Sequence, residues 1–185
     1  MLGEHPDLIV VATGAAPGLP AIPGIMDSPV VNPYEILRRP VGASGRALVI
    51  GGGIRGVGVA RVLAAKGVRV DLVEVGKELA TDIASRSRRF QVGALLDHPN
   101  VTVHLGTTVE ALGAHDAVLW NGTERLALTD LTLVVPTRTL LPVTRVSDDL
   151  YARGDAPPIF LLGDCVQPRT ALEAIHEAAA LGHRL

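Results

Sequence analysis

Apolar residues fall into short runs along the chain, broken by clusters of glycine, proline and polar residues. "DLIVVATG" (7–14) is a β-branched apolar run closed by Gly14 and predicts a buried strand. In "AAPGLPAIPGIMDSP" (15–29), Pro17, Pro20, Pro23 and Pro29 fix φ and remove donors, which predicts an extended connector. "NPYEILRR" (32–39) predicts a short helix, with Asn32 as N-cap, Pro33 in the first helical position and Glu35 reaching back. "RPVGASGR" (39–46) is a loop. "RALVIG" (46–51) is a strand, 53–66 a helix and "RVDLVEV" (69–75) the next strand. The stretch 81–98 predicts a helix with Ile83, Phe90, Leu95 and Leu96 as apolar markers, and "NVTVHLG" (100–106) a further strand. Asn121-Gly122 lies between alternating runs, a strong short-range hairpin signal. "LTLVVP" (131–136) is a strand stopped by Pro136. "PIFLLGDC" (158–165) is the last strand, and it leads into a closing helix whose Thr170-Ala171-Leu172-Glu173 reads as a capping box.

These elements define an α/β chain. A central βαβαβ section with a β-meander is flanked by a strand and connector on one side and by a strand and helix on the other. The middle looks complete and the outer pieces look like parts of something else.

Composition narrows the picture. The chain is 48% hydrophobic but only 3% aromatic, so its core must be aliphatic. A net charge of −2 gives no electrostatic reason to expect nucleic acid or an anionic membrane as a partner. No apolar run approaches the roughly 20 residues of a membrane span. The first residues, "MLGEHPDLIVVATG", lack the basic and long apolar regions of a signal peptide. Cys165 is the one cysteine, so no internal disulfide can form. A reducing, cytoplasmic setting is expected.

The chemistry concentrates after residue 50. Gly51, Gly53 and Gly56 spell G-x-G-x-x-G between a strand and a helix start. In such a turn the first glycine permits the bend, the second lets a pyrophosphate approach the backbone, and the third allows close helix–strand packing. The backbone from Gly51 through Gly52, Gly53, Ile54, Arg55 and Gly56 would then offer free N–H groups and a positive helix end to the phosphates. Glu74 ends the next strand, placed to accept bonds from the ribose hydroxyls of an adenosine. The alternative is a glycine-rich turn with no ligand. Gly58, inside the helix, costs about 0.5–1 kcal/mol relative to alanine. It implies either tight packing there or the loss of a function that used a side chain.

"LIVVATGAAPGLPAIPGI", "VIGGGIRGVGVA" and "LLGDCVQPRTALEAIHEA", in this order, resemble the C-terminal portion of the NADH:flavin oxidoreductase group that includes dienoyl-CoA reductase and trimethylamine dehydrogenase. The resemblance covers nearly the whole chain. It implies a Rossmann-like NAD(P)H- or ADP-binding domain, residues 45–136, inserted in a partial FAD-type α/β domain made of residues 1–44 and 137–185. In that group a flavin-bearing barrel and an iron–sulfur cluster come first, so FAD, FMN and the cluster would belong to an intact parent. No second glycine motif precedes residue 46. The resemblance therefore implies that the barrel and the first half of the FAD-type domain lie outside this sequence.

The same resemblance assigns Asp164, with Gly163 before it, and Gly14 at the end of the first strand to the flavin side; the matching aspartate bonds the ribityl–pyrophosphate region. Asp164 could instead only cap a loop. Two departures fall on the nicotinamide side. Relatives usually carry a glutamate where this chain has Gly58, and a glycine-rich "VG" turn where it has Val135-Pro136-Thr137-Arg138. Some relatives of the trimethylamine dehydrogenase type hold ADP there and transfer no hydride.

Other candidates carry weaker signals. Cys165, beside an acidic residue, is expected to be packed and unreactive. Glu173, His176 and Glu177 share a helical face but lack a further metal ligand, so a solvated face is expected. Arg86, Arg88 and Arg89 could meet a 2′-phosphate or simply face solvent. Glu74 argues for NAD over NADP, because its carboxylate repels that phosphate. Two readings follow. The first is a dinucleotide-binding part of a flavin oxidoreductase, passing hydride from NAD(P)H to FAD in the intact enzyme. The second is a non-catalytic ADP-binding or structural module.

Overall fold

A computed structural model describes residues 5–38 and 44–185. The expected loop at 39–46 lies largely outside the described residues. The chain divides into two compact units, one of Leu19–Thr139 and one of Met1–Gly18 with Leu140–Leu185.

The larger unit is built on four parallel strands. β3 (Arg46–Ile50), β4 (Arg69–Glu74), β5 (Val101–Leu105) and β9 (Leu131–Pro136) lie in the order β5-β4-β3-β9. Leu48 stands opposite Asp71 on one side and Val134 on the other. Successive residues of these strands enter different cores. Val49, Val70, Leu72 and Val135 pack with Val57 and Leu63 of α2 (Ile54–Ala65) and with Leu95 of α3 (Ser85–Leu96). Leu48, Val73 and Val134 pack with Leu112, Leu119 and Leu128 of an antiparallel meander, β6 (Thr108–Leu112), β7 (Ala117–Trp120) and β8 (Arg125–Leu128). Burial on both faces is why the central β3 reads as a continuous apolar run, whereas the edge strand β5 alternates.

The Asn121-Gly122 hairpin joins β7 and β8. Trp120 pairs with Arg125, so the loop holds four residues, 121–124. Asn121 Oδ1 accepts from the N–H groups of Thr123 and Glu124, each at 2.9 Å, which is an Asx turn. β6 is absent from the sequence-based expectation. It is only five residues long, and its pairing with β7 shifts register between Val109 and Ala111.

The expected helix over 81–98 starts only at Ser85, because residues 80–84 are held elsewhere. The Ala80 N–H donates to Gly52 O at 2.7 Å, and Asp82 bonds the start of α2. Of its apolar markers, Leu95 is buried and Ile83 half-buried, whereas Phe90 and Leu96 are exposed.

Residues 19–38 also differ from the expected boundary at 44, since they pack into this unit. Ile25 joins the meander core, and Val30 bridges to Val134. Ile36, on α1 (Pro33–Arg38), is fully buried in the core around α2.

In the smaller unit, the strand expected over 7–14 is confined to β1 (Ile9–Val11), which pairs in parallel with β11 (Ile159–Leu161). The expected strand 158–165 thus ends early, and Gly163–Cys165 forms a 3₁₀ turn. The proline-rich connector contributes β2 (Ala15–Pro17), antiparallel to β10 (Leu140–Pro142). A helix missed by the hydrophobic pattern, α4 (Arg145–Arg153), carries mostly polar residues and buries Ser147 and Leu150. The closing helix α5 (Ala171–Gly182) has the expected capping box. Thr170 Oγ1 accepts from the Leu172 N–H, and the Glu173 carboxylate accepts from the Thr170 N–H at 3.0 Å.

Candidate functional site

The glycine turn sits at the carboxyl end of β3. From there the chain goes to β4 and β5 on one side of the sheet, while β9 lies on the other. This is the topological switch point, where open α/β sheets leave a crevice for a ligand. Gly51 adopts φ +107, a conformation that favours glycine, and its N–H donates to Val73 O at 2.8 Å. A Cβ on Gly56 would lie 1.8 Å from Gly51 O, so only a glycine lets α2 start this close to the strand. Gly53 is the N-cap of α2 and offers no side chain to it. In its place Asp82 accepts the Ile54 N–H, at 2.9 Å to Oδ1 and 3.2 Å to Oδ2.

Glu74 ends β4 and is 5% exposed, with both carboxylate oxygens occupied. Oε2 accepts from the Gly52 N–H at 2.7 Å. Oε1 accepts from the Gly76 N–H at 2.7 Å and from Arg138 Nη1 at 2.8 Å. The acid expected to meet a ribose therefore also fixes the glycine turn, and a ribose would share it with these donors.

The residues after β9 complete this rim. Thr137 is buried and its hydroxyl bonds Gly51 O at 2.9 Å, filling the place where relatives were expected to have glycine. Arg55 donates from Nη1 to Thr137 O at 2.6 Å. The Arg138 side chain runs past Gly51, where a Cβ would come within 2.4 Å of its Cγ. Nothing lies within 4 Å of a Cβ on Gly58, so among the described residues no neighbour demands a glycine there.

A second group forms in the smaller unit. Gly14 and Gly163 take φ +75 and +67. The Gly163 N–H donates to Glu177 Oε2 at 2.8 Å, and Asp164 Oδ1 accepts the Arg169 N–H at 3.0 Å. Ala12, Gly14, Asp164, Thr170 and Ala174 border an open cleft of about 350 Å³. Asp164 therefore closes its own loop while facing this cleft.

Sequence reasoning missed two polar residues of the glycine turn. Asp82 had no motif to mark it. Arg138 stood out only as part of a departure from a pattern. Cys165 is buried, with Sγ 3.0 Å from Leu162 O and 3.3 Å from Val11 O. Glu173 is engaged in its cap, where the Thr170 hydroxyl holds its carboxyl below the usual range. The Arg169 guanidinium does the same for Glu177. Arg88 pairs with Glu78 at 2.7 Å and Arg86 is exposed, while the Arg89 side chain lies outside the described residues. No helix among the described residues is long and apolar enough to cross a membrane.

This fold, with a dinucleotide-type turn at its switch point, defines a Rossmann-like FAD/NAD-binding oxidoreductase domain. Residues 5–182 match the pyridine nucleotide-disulphide oxidoreductase family, and the chain belongs to that family, whose members bind FAD and NAD(P). Among curated relatives, the bilirubin reductase of Mediterraneibacter gnavus is 32% identical over 128 residues, covering 69% of this chain and 20% of that protein. Among solved structures, 2-naphthoyl-CoA reductase aligns with a TM-score of 0.81 at 24% identity, over 99% of this chain and 27% of that one. Histamine dehydrogenase from Rhizobium sp. 4-9 aligns with a TM-score of 0.82 at 21% identity, over 97% of this chain and 30% of that one. The chain thus spans under a third of the length of each of these proteins.

Proposed function

We propose that the Leu19–Thr139 unit binds the adenosine–pyrophosphate part of a pyridine dinucleotide, as the nucleotide-binding portion of a flavin oxidoreductase of the dienoyl-CoA reductase and trimethylamine dehydrogenase type. The observation that carries this reading is the placement of Gly51–Gly56 at the switch point, with Glu74 at the neighbouring strand end. Gly53 and Arg55 would face the pyrophosphate with backbone N–H groups, as would Ile54 once Asp82 gives way. The N–H groups of Gly51 and Gly52 are held by Val73 O and Glu74 and shape the turn, and Glu74 would accept from the ribose. The hydride chemistry of such a flavoprotein resides in its nicotinamide and flavin cofactors. This chain's residues would bind and orient. Gly14, Gly163 and Asp164 would form one flank of the FAD site. A preceding half-domain and a flavin-bearing barrel with its iron–sulfur cluster would supply the rest. β1 and β11, paired only with each other among the described residues, are consistent with such a partner.

A second reading, an ADP-binding module without hydride transfer, is favoured by Gly58 and Thr137 on the nicotinamide side. Gly58→Glu separates the two. The space around Gly58 is open, so the variant is expected to gain about 0.5–1 kcal/mol by losing an interior helical glycine. If a missing carboxylate is what leaves the nicotinamide unanchored, NADH affinity will also rise relative to ADP. Paired titrations and a thermal melt of that variant check both parts. An unchanged NADH-to-ADP ratio would mean that Gly58 is unrelated to nicotinamide placement.

A further inference from the structure

The N–H of Ile54, the first residue of α2, is already taken. Asp82 accepts it through both oxygens, and its Oδ2 lies 2.9 Å from where a Cβ on Gly53 would stand. The space left by the missing side chain of Gly53 is therefore occupied by a carboxylate.

The segment bearing Asp82 is fastened to the turn. Leu79 is buried, with its Cδ2 2.4 Å from the Cβ position of Gly52. Ala80 is fully buried, takes φ +50 and donates to Gly52 O at 2.7 Å. A non-glycine residue in that region is strained, and it persists only where the surroundings over-determine it. The anchor holds at Leu79 and Ala80, while the Asp82 side chain itself is exposed and can turn aside.

We infer that Asp82 is a built-in competitor for the phosphate site of the glycine turn. It is an internal anion that neutralises the helix start and must leave before a nucleotide diphosphate can bind. This rests on the proposed nucleotide site and adds its regulation. A carboxylate and a pyrophosphate cannot share one N–H, and their like charges repel at such a separation. Occupancy is then set by a side-chain swing, not by opening of the fold.

Asp82→Asn keeps an acceptor for the helix end, because asparagine caps as well as aspartate, but removes the charge. On the 185-residue chain it is expected to tighten ADP binding about tenfold, or about 1.4 kcal/mol, and to leave adenosine binding unchanged. Asp82→Ala, with neither charge nor cap, should also bind ADP more tightly than wild type, at a lower melting temperature. Calorimetric titrations with ADP and adenosine, alongside thermal melts, read all of these. Suppose ADP binds wild type saturably, is lost in Gly53→Val, and is no tighter in Asp82→Asn or Asp82→Ala. Asp82 is then only a helix cap, and the competitor is refuted while the site stands. No saturable ADP binding by wild type or either variant overturns both.

Discussion

Gly56→Ala is expected to lower the melting temperature by roughly 10 °C, or about 3 kcal/mol, and to abolish nucleotide binding with it. The added methyl would stand 1.8 Å from Gly51 O and 3.0 Å from both Gly51 C and Thr137 Oγ1. The first two are backbone atoms, so no rotamer change relieves the contact. α2 must lift from β3, which disturbs Val57 and Leu63 in the core and the Gly52–Glu74 bond at the turn. Ala at Gly58, two residues on, meets nothing and serves as the control. A Gly56→Ala variant melting with wild type would mean that the turn does not close as described.

Asp71 carries the second large effect. It lies in the middle of β4, 4% exposed, on the sheet face that packs against the meander. Arg46 Nε and Nη2 donate to it at 2.7 and 3.2 Å, and His104 Nε2 lies 2.8 Å from its Oδ1. Burial pushes its carboxyl up, but the bonds from His104 and Arg46 together outweigh this and hold it below the usual carboxylate range. Removing one member of a buried ion pair strands the others, so Asp71→Ala should cost about 3 kcal/mol. The folded value is the lower one. The contribution is therefore complete above the unfolded value of about 3.9 and fades as pH falls through the folded value. Urea unfolding between about pH 6 and 3 should show a shallower acid decline in Asp71→Asn than in wild type. Parallel declines would assign the acid sensitivity to other carboxylates.

The legible parts of this fold are those where geometry demands a residue type within a few positions. The Gly51–Gly56 turn, the Asn121 loop and the Thr170–Glu173 cap each depend on local backbone needs, and each stands where the sequence places it. The parts that escaped depend on partners distant in sequence. Asp71 looks like a polar interruption of "RVDLVEV" until Arg46 and His104 are brought beside it. Asp82 reads as the start of a helix until Ile54 claims it. β2 and β10 are three residues each and exist through their mutual pairing. α4 has Thr144 before it and Gly154 after it, with φ +71, but only Leu150 among its apolar residues is buried. With one buried apolar side chain in nine residues, it forms no apolar run that stands out in the sequence. Residues 19–38 carry no boundary signal at all. Ile25, Val30 and Ile36 assign them to the central unit through packing alone.

Gly53→Val tests most directly whether the glycine turn receives a pyrophosphate. The atoms nearest the new Cβ are those of the Asp82 carboxylate, 2.9 Å away at the far end of a movable side chain, so the fold should survive. It would fill the space where phosphate meets backbone. Calorimetric titration of wild type and variant with ADP, with a thermal melt of each, is the measurement. The predicted result is saturable ADP binding by wild type and none by a folded variant that melts no lower than Asp82→Ala. Equal ADP affinity in a folded Gly53→Val chain would contradict it.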